Sequence, residues 1–193
     1  LLVIVKVYVA MSAALAPNPV LIAPATPSFR LAAERVQDRA RVDALVDAAF
    51  GPGRFAKTSE RVREGNAPRL DLSLCAWALE GDELLGAVRQ TPVLIGETPA
   101  LFFGPIATRQ DQRGHGVGRA LTEAACDLGA AAGETVVVLV GALSFFAPLG
   151  FEQSPAGQVI LPGPVDPARL LWRPLKPGAL EGVGGAVRPR FRP

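Results

Sequence analysis

An apolar run, Leu101 to Ala107, leads into Arg113-Gly-His-Gly-Val-Gly118, which opens a helix-patterned stretch from Arg119 to Ala132. This junction constrains the fold more than any other part of the chain. Glycines at 114, 116 and 118 let the backbone turn with its N–H groups pointing inward, and the helix that follows adds unpaired donors and the positive end of its dipole. Arg113 and Arg119 bracket the loop with two guanidinium groups, a natural match for a pyrophosphate. The segment reads as a phosphate cradle between a strand and a helix.

The surrounding pattern says which kind of domain carries it. Phe29 to Ala33 is a candidate first strand, and Asp38 a candidate N-cap for a helix ending at Gly51. Val42, Leu45, Val46, Ala49 and Phe50 recur at helical spacing and predict one buried face. A short helix is expected from Ser59 to Glu64, stopped by Gly65-Asn-Ala-Pro68. Three apolar segments follow, Leu72 to Leu79, Leu84 to Ile95 and Ala100 to Thr108, joined by Glu80-Gly-Asp82 and Gly96-Glu-Thr-Pro99. Linkers this short predict an antiparallel meander. After the loop, Val117, Ala120, Leu121, Ala124, Ala125 and Leu128 mark a helix with Gly133 just beyond its end, and Thr135 to Val140 is too β-branched to be anything but a buried strand. A right-handed crossover then makes the strands around residues 104 and 138 parallel neighbours. The expected class is α+β, with a mixed, mostly antiparallel sheet flanked by helices.

Composition excludes several functions. Twenty basic and 18 acidic residues leave a net charge of +2, so no overall field recruits nucleic acid or an anionic membrane. The basic stretch Arg188 to Arg192 reads as a solvated end. Cys75 and Cys126 sit in apolar patterns and read as buried free thiols. His115 is the sole histidine, so no metal site is expected. Leu1 to Ala16 is apolar, but it lacks a basic region ahead of it, is interrupted by Lys6 and falls short of the roughly 18 residues of a spanning helix. It is expected to be neither signal nor anchor, and Met11 raises the prospect that the residues before it are not translated. Pro17 to Pro27 reads as a loose connector. The expected division is therefore 1–28 as extension or linker, 29–175 as the single folded domain and 176–193 as a tail.

The glycine loop is not that of a dinucleotide fold, since Arg119 stands where the third glycine of G-x-G-x-x-G belongs and the preceding strands form a meander. Nor does Gly-Lys-Ser or Gly-Lys-Thr, the ending of a nucleoside-triphosphatase loop, occur in the chain. Arg-x-x-Gly-x-Gly between a strand and a helix resembles instead the acetyl-CoA loop of the GNAT superfamily of N-acetyltransferases. Phe103-Gly-Pro-Ile-Ala-Thr108 resembles that family's fourth strand, and Phe145-Phe-Ala-Pro-Leu-Gly-Phe151 its later aromatic-x-x-x-Gly-Phe segment. The resemblance spans Phe29 to Pro174. The proline-rich continuation, Leu161 to Leu170, is similar to that of a group of bacterial predicted acetyltransferases.

The resemblance implies a sheet whose central parallel strands splay apart to admit the pantetheine arm of acetyl-CoA, the expected cosubstrate. The backbone of Ile106, Ala107 and Thr108 would pair with that arm, while Arg113, Gly114, His115, Gly116, Val117, Gly118 and Arg119 form the pyrophosphate loop. Phe146 stands where many members place a tyrosine that protonates the leaving thiolate, and would wall the thioester site with Phe145. Glu97 and Ser73 are the candidates for a base, with Asp71, Glu80 and Asp82 behind them. His115, inside the phosphate loop, is expected to lie far from the thioester. Trp77 and Trp172 read as core or rim aromatics. The expected reaction is acetyl transfer to a primary amine, on a small molecule or peptide, by direct attack in a ternary complex. The alternative is a non-catalytic acyl-CoA-binding protein that has lost proton-transfer groups. A cytoplasmic location and a homodimer complete the expectations.

Overall fold

The computed structural model describes residues 28–190; the apolar start and the proline-rich connector lie outside them. Alternation of β-branched and aromatic residues produces most of the sheet. The elements in order are β1 (Phe29–Ala33), α1 (Arg39–Phe50), α2 (Thr58–Arg63), β2 (Leu74–Ala78), β3 (Leu84–Ile95), β4 (Thr98–Thr108), α3 (Val117–Ala131), β5 (Val136–Val140), α4 (Leu143–Phe146), β6 (Glu152–Gln153), β7 (Val159–Ile160), β8 (Leu170–Pro174) and β9 (Gly185–Pro189). The spatial order is β1-β2-β3-β4-β5-β8-β6. All neighbours along it are antiparallel except β4 and β5, as a strand, loop, helix, strand sequence requires.

Side chains of successive strand residues point to opposite faces, which divides the core. Leu101, Phe103, Val137 and Leu139 pack with Val117, Leu121 and Ala125 of α3 on one face. Ala100, Phe102, Val136 and Val138 face the other way, onto Val62 of α2, Trp172 and the C-terminal Val183 and Val187. α1 lays Val42 and Val46 against Cys75, Trp77, Ala87 and Ala107. Both tryptophans are buried, and Trp172 Nε1 donates to Glu152 at 3.2 Å.

Four expectations need correction. The stretch from 176 contributes a strand rather than only a tail: β9 pairs with Val93, Leu94 and Ile95 of β3, beyond the part of β3 that β2 covers. Gly96 and Gly185 permit this approach, because a β-carbon on Gly185 would stand 2.9 Å from the Gly96 Cα. Arg188 pairs with Glu97 at the surface, whereas Arg190 reaches the buried Glu134 at 2.6 Å and so ties the basic end to the core. Asp38 precedes α1 but makes no side-chain cap on it; its carboxylate accepts instead from the Arg35 backbone N–H at 3.0 Å and the Arg35 guanidinium at 2.9 Å. Phe50 leaves the buried face of α1 and stands 41% exposed.

Cys75 and Cys126 are free and fully buried. Burial pushes the Cys75 thiol up to about 12 and the Cys126 thiol up to about 11. Because the thiolate is the reactive form, an aryl disulfide reagent at pH 8 is expected to titrate neither thiol in the folded protein and both after denaturation. Rapid native labelling would contradict this packing.

Candidate active site

The pairing of β4 with β5 is short. Only Leu101 with Val137 and Phe102 with Val138 are in register. Beyond them β4 runs on to Thr108 with no strand on that side among the described residues, while β5 stays with β8 through Val140. The divergence coincides with an irregularity on β4's other edge, where Gln90 pairs with Phe103 but Val88 pairs with Ile106, so two β4 residues stand opposite the single Arg89. A bulge of this kind bends a strand. Pro105 inside it has no N–H to offer a ladder.

The gap is the throat of a cleft of about 950 Å³. Phe103 to Thr108 line one side, and Leu139, Val140, Gly141 and Ala142 line the other. Its floor includes Phe146, which is 6% exposed and stacks edge-on against Phe145 at 4.8 Å, Phe151 at 5.3 Å and Phe103 at 6.3 Å. Gly141 makes room for that ring, since a β-carbon there would lie 2.4 Å from it.

At one end of the cleft the loop residues Arg113, Gly114, Gly116, Val117, Gly118 and Arg119 form the wall. The backbone N–H groups of Gly114, Gly116, Val117, Gly118 and Arg119 have no acceptor among the described residues, and the first intrahelical bond closes only at Ala120, onto the Gly116 carbonyl at 2.9 Å. Gly116 has φ of 81°, which lets the chain turn into α3 with these donors outward. Arg113 N–H and His115 N–H differ, turning back to the Gln110 and Gln112 carbonyls at 3.3 and 3.4 Å. His115 is exposed and does not line the cleft. Arg119 makes an exposed pair with Glu123 at 3.0 Å.

A family model described as the acetyltransferase (GNAT) family matches residues 41–151, more than half of the chain and all of this cleft's central walls. The protein belongs to the GNAT acetyltransferase family. The GNAT N-acetyltransferase YhbS of Escherichia coli, solved in complex with CoA, is 25% identical over 87% of this chain and 93% of its own, with a TM-score of 0.72. A GNAT acetyltransferase of Brucella melitensis, solved with acetyl-CoA, shares the fold at a TM-score of 0.61 and 21% identity over 86% of this chain and 97% of its own. No curated protein matches the chain.

This GNAT domain leaves the expected base candidates outside the cleft walls. Glu97 sits on the β3–β4 hairpin beside Arg188. Ser73 is fully buried, donating to the Arg69 carbonyl at 2.7 Å and accepting from Gln90 N–H at 3.1 Å. Asp71 is paired with Arg69, and Asp82 with Arg41 at 2.6 Å. Glu80 does not line the cleft either. The carboxylates that do are Glu60 and Asp166. Glu60 receives Arg54 at 2.7 Å and Arg63 at 3.0 Å, both on Oε1. Burial pushes its pKa up, but the hydrogen bonds and charges of Arg63 and Arg54 outweigh this and the net shift is downward. Asp166 accepts from Ala168 N–H at 3.0 Å, closing a local turn. α2 and the segment around Pro164 are tied by the Thr58 hydroxyl, which donates to the Pro164 carbonyl at 2.5 Å, and together they form the end of the cleft away from the glycine loop.

Glu60 and Arg63 were readable as an i, i+3 pair on a short helix, but nothing in a six-residue helix indicates which way it faces. Among the described residues no group of three or more potential metal ligands occurs, and no helix is long and apolar enough to cross a membrane.

Proposed function

We propose that this protein transfers an acetyl group from acetyl-CoA to a primary amine by direct attack in a ternary complex. One observation carries the reading: a cluster of unpartnered amide donors at a helix start opens onto the gap between two diverging strands. Those donors suit a diphosphate, and the gap suits an extended, amide-bearing arm that β4 can pair with as it would with another strand. YhbS, solved with CoA, and the Brucella protein, solved with acetyl-CoA, support the choice of cosubstrate. In this reading Ile106, Ala107 and Thr108 pair with the arm, Gly114, Gly116, Val117, Gly118 and Arg119 hold the diphosphate through backbone N–H groups, and Arg113 adds its side-chain charge. A cytoplasmic site of action follows from the cosubstrate.

The neutral amine attacks the thioester carbonyl carbon, the C–N bond forms, and the C–S bond breaks to release coenzyme A. A β4 N–H aimed at the developing oxyanion is worth about 2.7 to 4 kcal/mol by analogy with other acyl-transfer sites. The ammonium proton passes to water, since among the described residues no histidine or tyrosine lines the cleft. The thiolate, with a pKa near 8.5, leaves without a protonated partner. Phe146 in place of an acid favours the second reading, a binding protein without turnover. Thiol release from acetyl-CoA with a panel of primary amines, for the native protein and Phe146→Tyr, separates the two. Turnover by either supports transfer; binding of CoA by both with turnover by neither supports the binding protein.

A further inference from the structure

We propose that the acceptor is a small amine carrying a carboxylate close to its nitrogen, an amino-acid-like molecule, and that Arg63 receives that carboxylate. This rests on the transfer reaction proposed above and names its substrate class. The cleft end formed by α2 and the Pro164 segment holds four cations, Arg54, Lys57, Arg63 and Arg169, against two carboxylates, Glu60 and Asp166. Glu60 is shared between Arg54 and Arg63, Arg54 also pairs with Asp47 behind the cleft wall at 2.8 Å, and Asp166 is engaged by a local backbone N–H. Lys57 and Arg169 have no ion-pair partner among the described residues. The surplus positive charge lies away from the glycine loop, so a cosubstrate diphosphate bound there does not consume it.

Arg63 is the distinctive member. Its side chain is only 15% exposed, yet it spends a single N–H on a carboxylate, Nη2 on Glu60 at 3.0 Å. Burial lowers its pKa, and the Arg54 charge nearby adds to that. A guanidinium carries five donors, and a partly desolvated one with most of them unused gains from an incoming anion. Nη1 points at β4, 3.9 Å from where a β-carbon on Gly104 would stand. Gly104 is two residues from Ile106, about 7 Å along a strand. In an α-amino acid the nitrogen and a carboxylate oxygen are roughly 3 Å apart, and one hydrogen bond adds roughly 3 Å. An amine poised over the stretch between Gly104 and Ile106 brings its own carboxylate within reach of Arg63. Phe102, whose ring lies 5.6 Å from the guanidinium, and the wall around Phe50 leave this subsite half apolar, which strengthens the ion pair.

The test compares thiol release from acetyl-CoA with matched sets of L-amino acids, their carboxamides and the corresponding decarboxylated amines, each rate corrected for the neutral fraction of its amine. The acids are expected to have kcat/KM roughly 10- to 100-fold above the amides, the range of one hydrogen-bonded charge. Arg63→Gln is expected to collapse the acid-to-amide ratio toward one, and Arg63→Lys to restore part of it, with calorimetric affinity for CoA unchanged in both. The native ratio is read without any variant, so a misfolded Arg63→Gln does not spoil the test. Equal use of acids and amides, or preference for a phosphorylated amine, overturns the proposal while leaving transfer intact. If no amine is acetylated, calorimetry of the CoA-loaded protein with an N-acetyl amino acid and its amide decides. Preferential binding of the acid, lost in Arg63→Gln, then supports the carboxylate site although transfer has failed; indifference overturns both.

Discussion

Replacing Gly118 with leucine is expected to weaken coenzyme A binding by roughly 100-fold, about 2.8 kcal/mol, while leaving the protein as stable as before. Gly118 lies in the first turn of α3, and a β-carbon placed there would meet the Thr108 hydroxyl at 3.4 Å and the Phe145 ring at 3.5 Å. Both neighbours line the throat of the cleft. The first carbon is thus in ordinary contact, and the rest of a leucine side chain must occupy the passage between the loop and β4. No left-handed backbone is required at this position, so the helix itself prefers leucine to glycine by nearly 1 kcal/mol. Gly118→Ala serves as the control and is expected to bind CoA within a few fold of the native protein. Calorimetric titration with CoA and a thermal melt on the same samples check the pair of outcomes. Undiminished affinity in Gly118→Leu would mean that CoA does not pass between Thr108, Phe145 and the start of α3.

The site divides sharply into what a sequence can carry and what it cannot. The cradle is a local object: glycines at alternate positions between a strand and a helix determine the donor directions within a few residues, and their spacing is visible without a fold. The meander is legible for a similar reason, because its linkers are too short to permit other connections. The parallel pairing of β4 with β5 was legible as topology and its splaying only through the family resemblance; the point where it ends, after Phe102, was not legible, since that depends on a bulge opposite Arg89. β9 escaped because a glycine- and proline-bearing segment has little strand character of its own and forms only where the far half of β3 offers a free edge. Asp38 illustrates a competition that composition cannot decide, a capping residue captured by the Arg35 guanidinium before it. The acceptor end was least visible. Glu60 and Arg63 acquire their position only when α2 packs Val62 into the core and turns its polar side to the cleft.

A second large effect is expected from pH. For an amine with a pKa near 10.4, kcat/KM should rise about 100-fold between pH 6 and 8, one logarithmic unit per pH unit. Attack requires the neutral amine, whose fraction grows tenfold per unit below its pKa, so the sign is an increase with pH. The size depends on nothing in the cleft taking up the proton. Glu60 is the carboxylate held most directly by cations, and hydrogen bonds from Arg63 and Arg54, working against burial, keep its pKa below the ordinary value. It is therefore ionised throughout this range and too weak a base to level the profile. His115, the sole histidine, does not line the cleft. Initial rates at subsaturating amine in constant ionic strength buffers measure the slope directly. A plateau reached near pH 7, well below the pKa of the amine, would reveal a general base beyond the described residues that line the cleft. A slope of one continuing to the amine's own pKa would mean that the substrate, and no side chain, sets when the reaction can begin. An amine of lower pKa should then be favoured at neutral pH by its larger neutral fraction, in addition to any preference arising at Arg63.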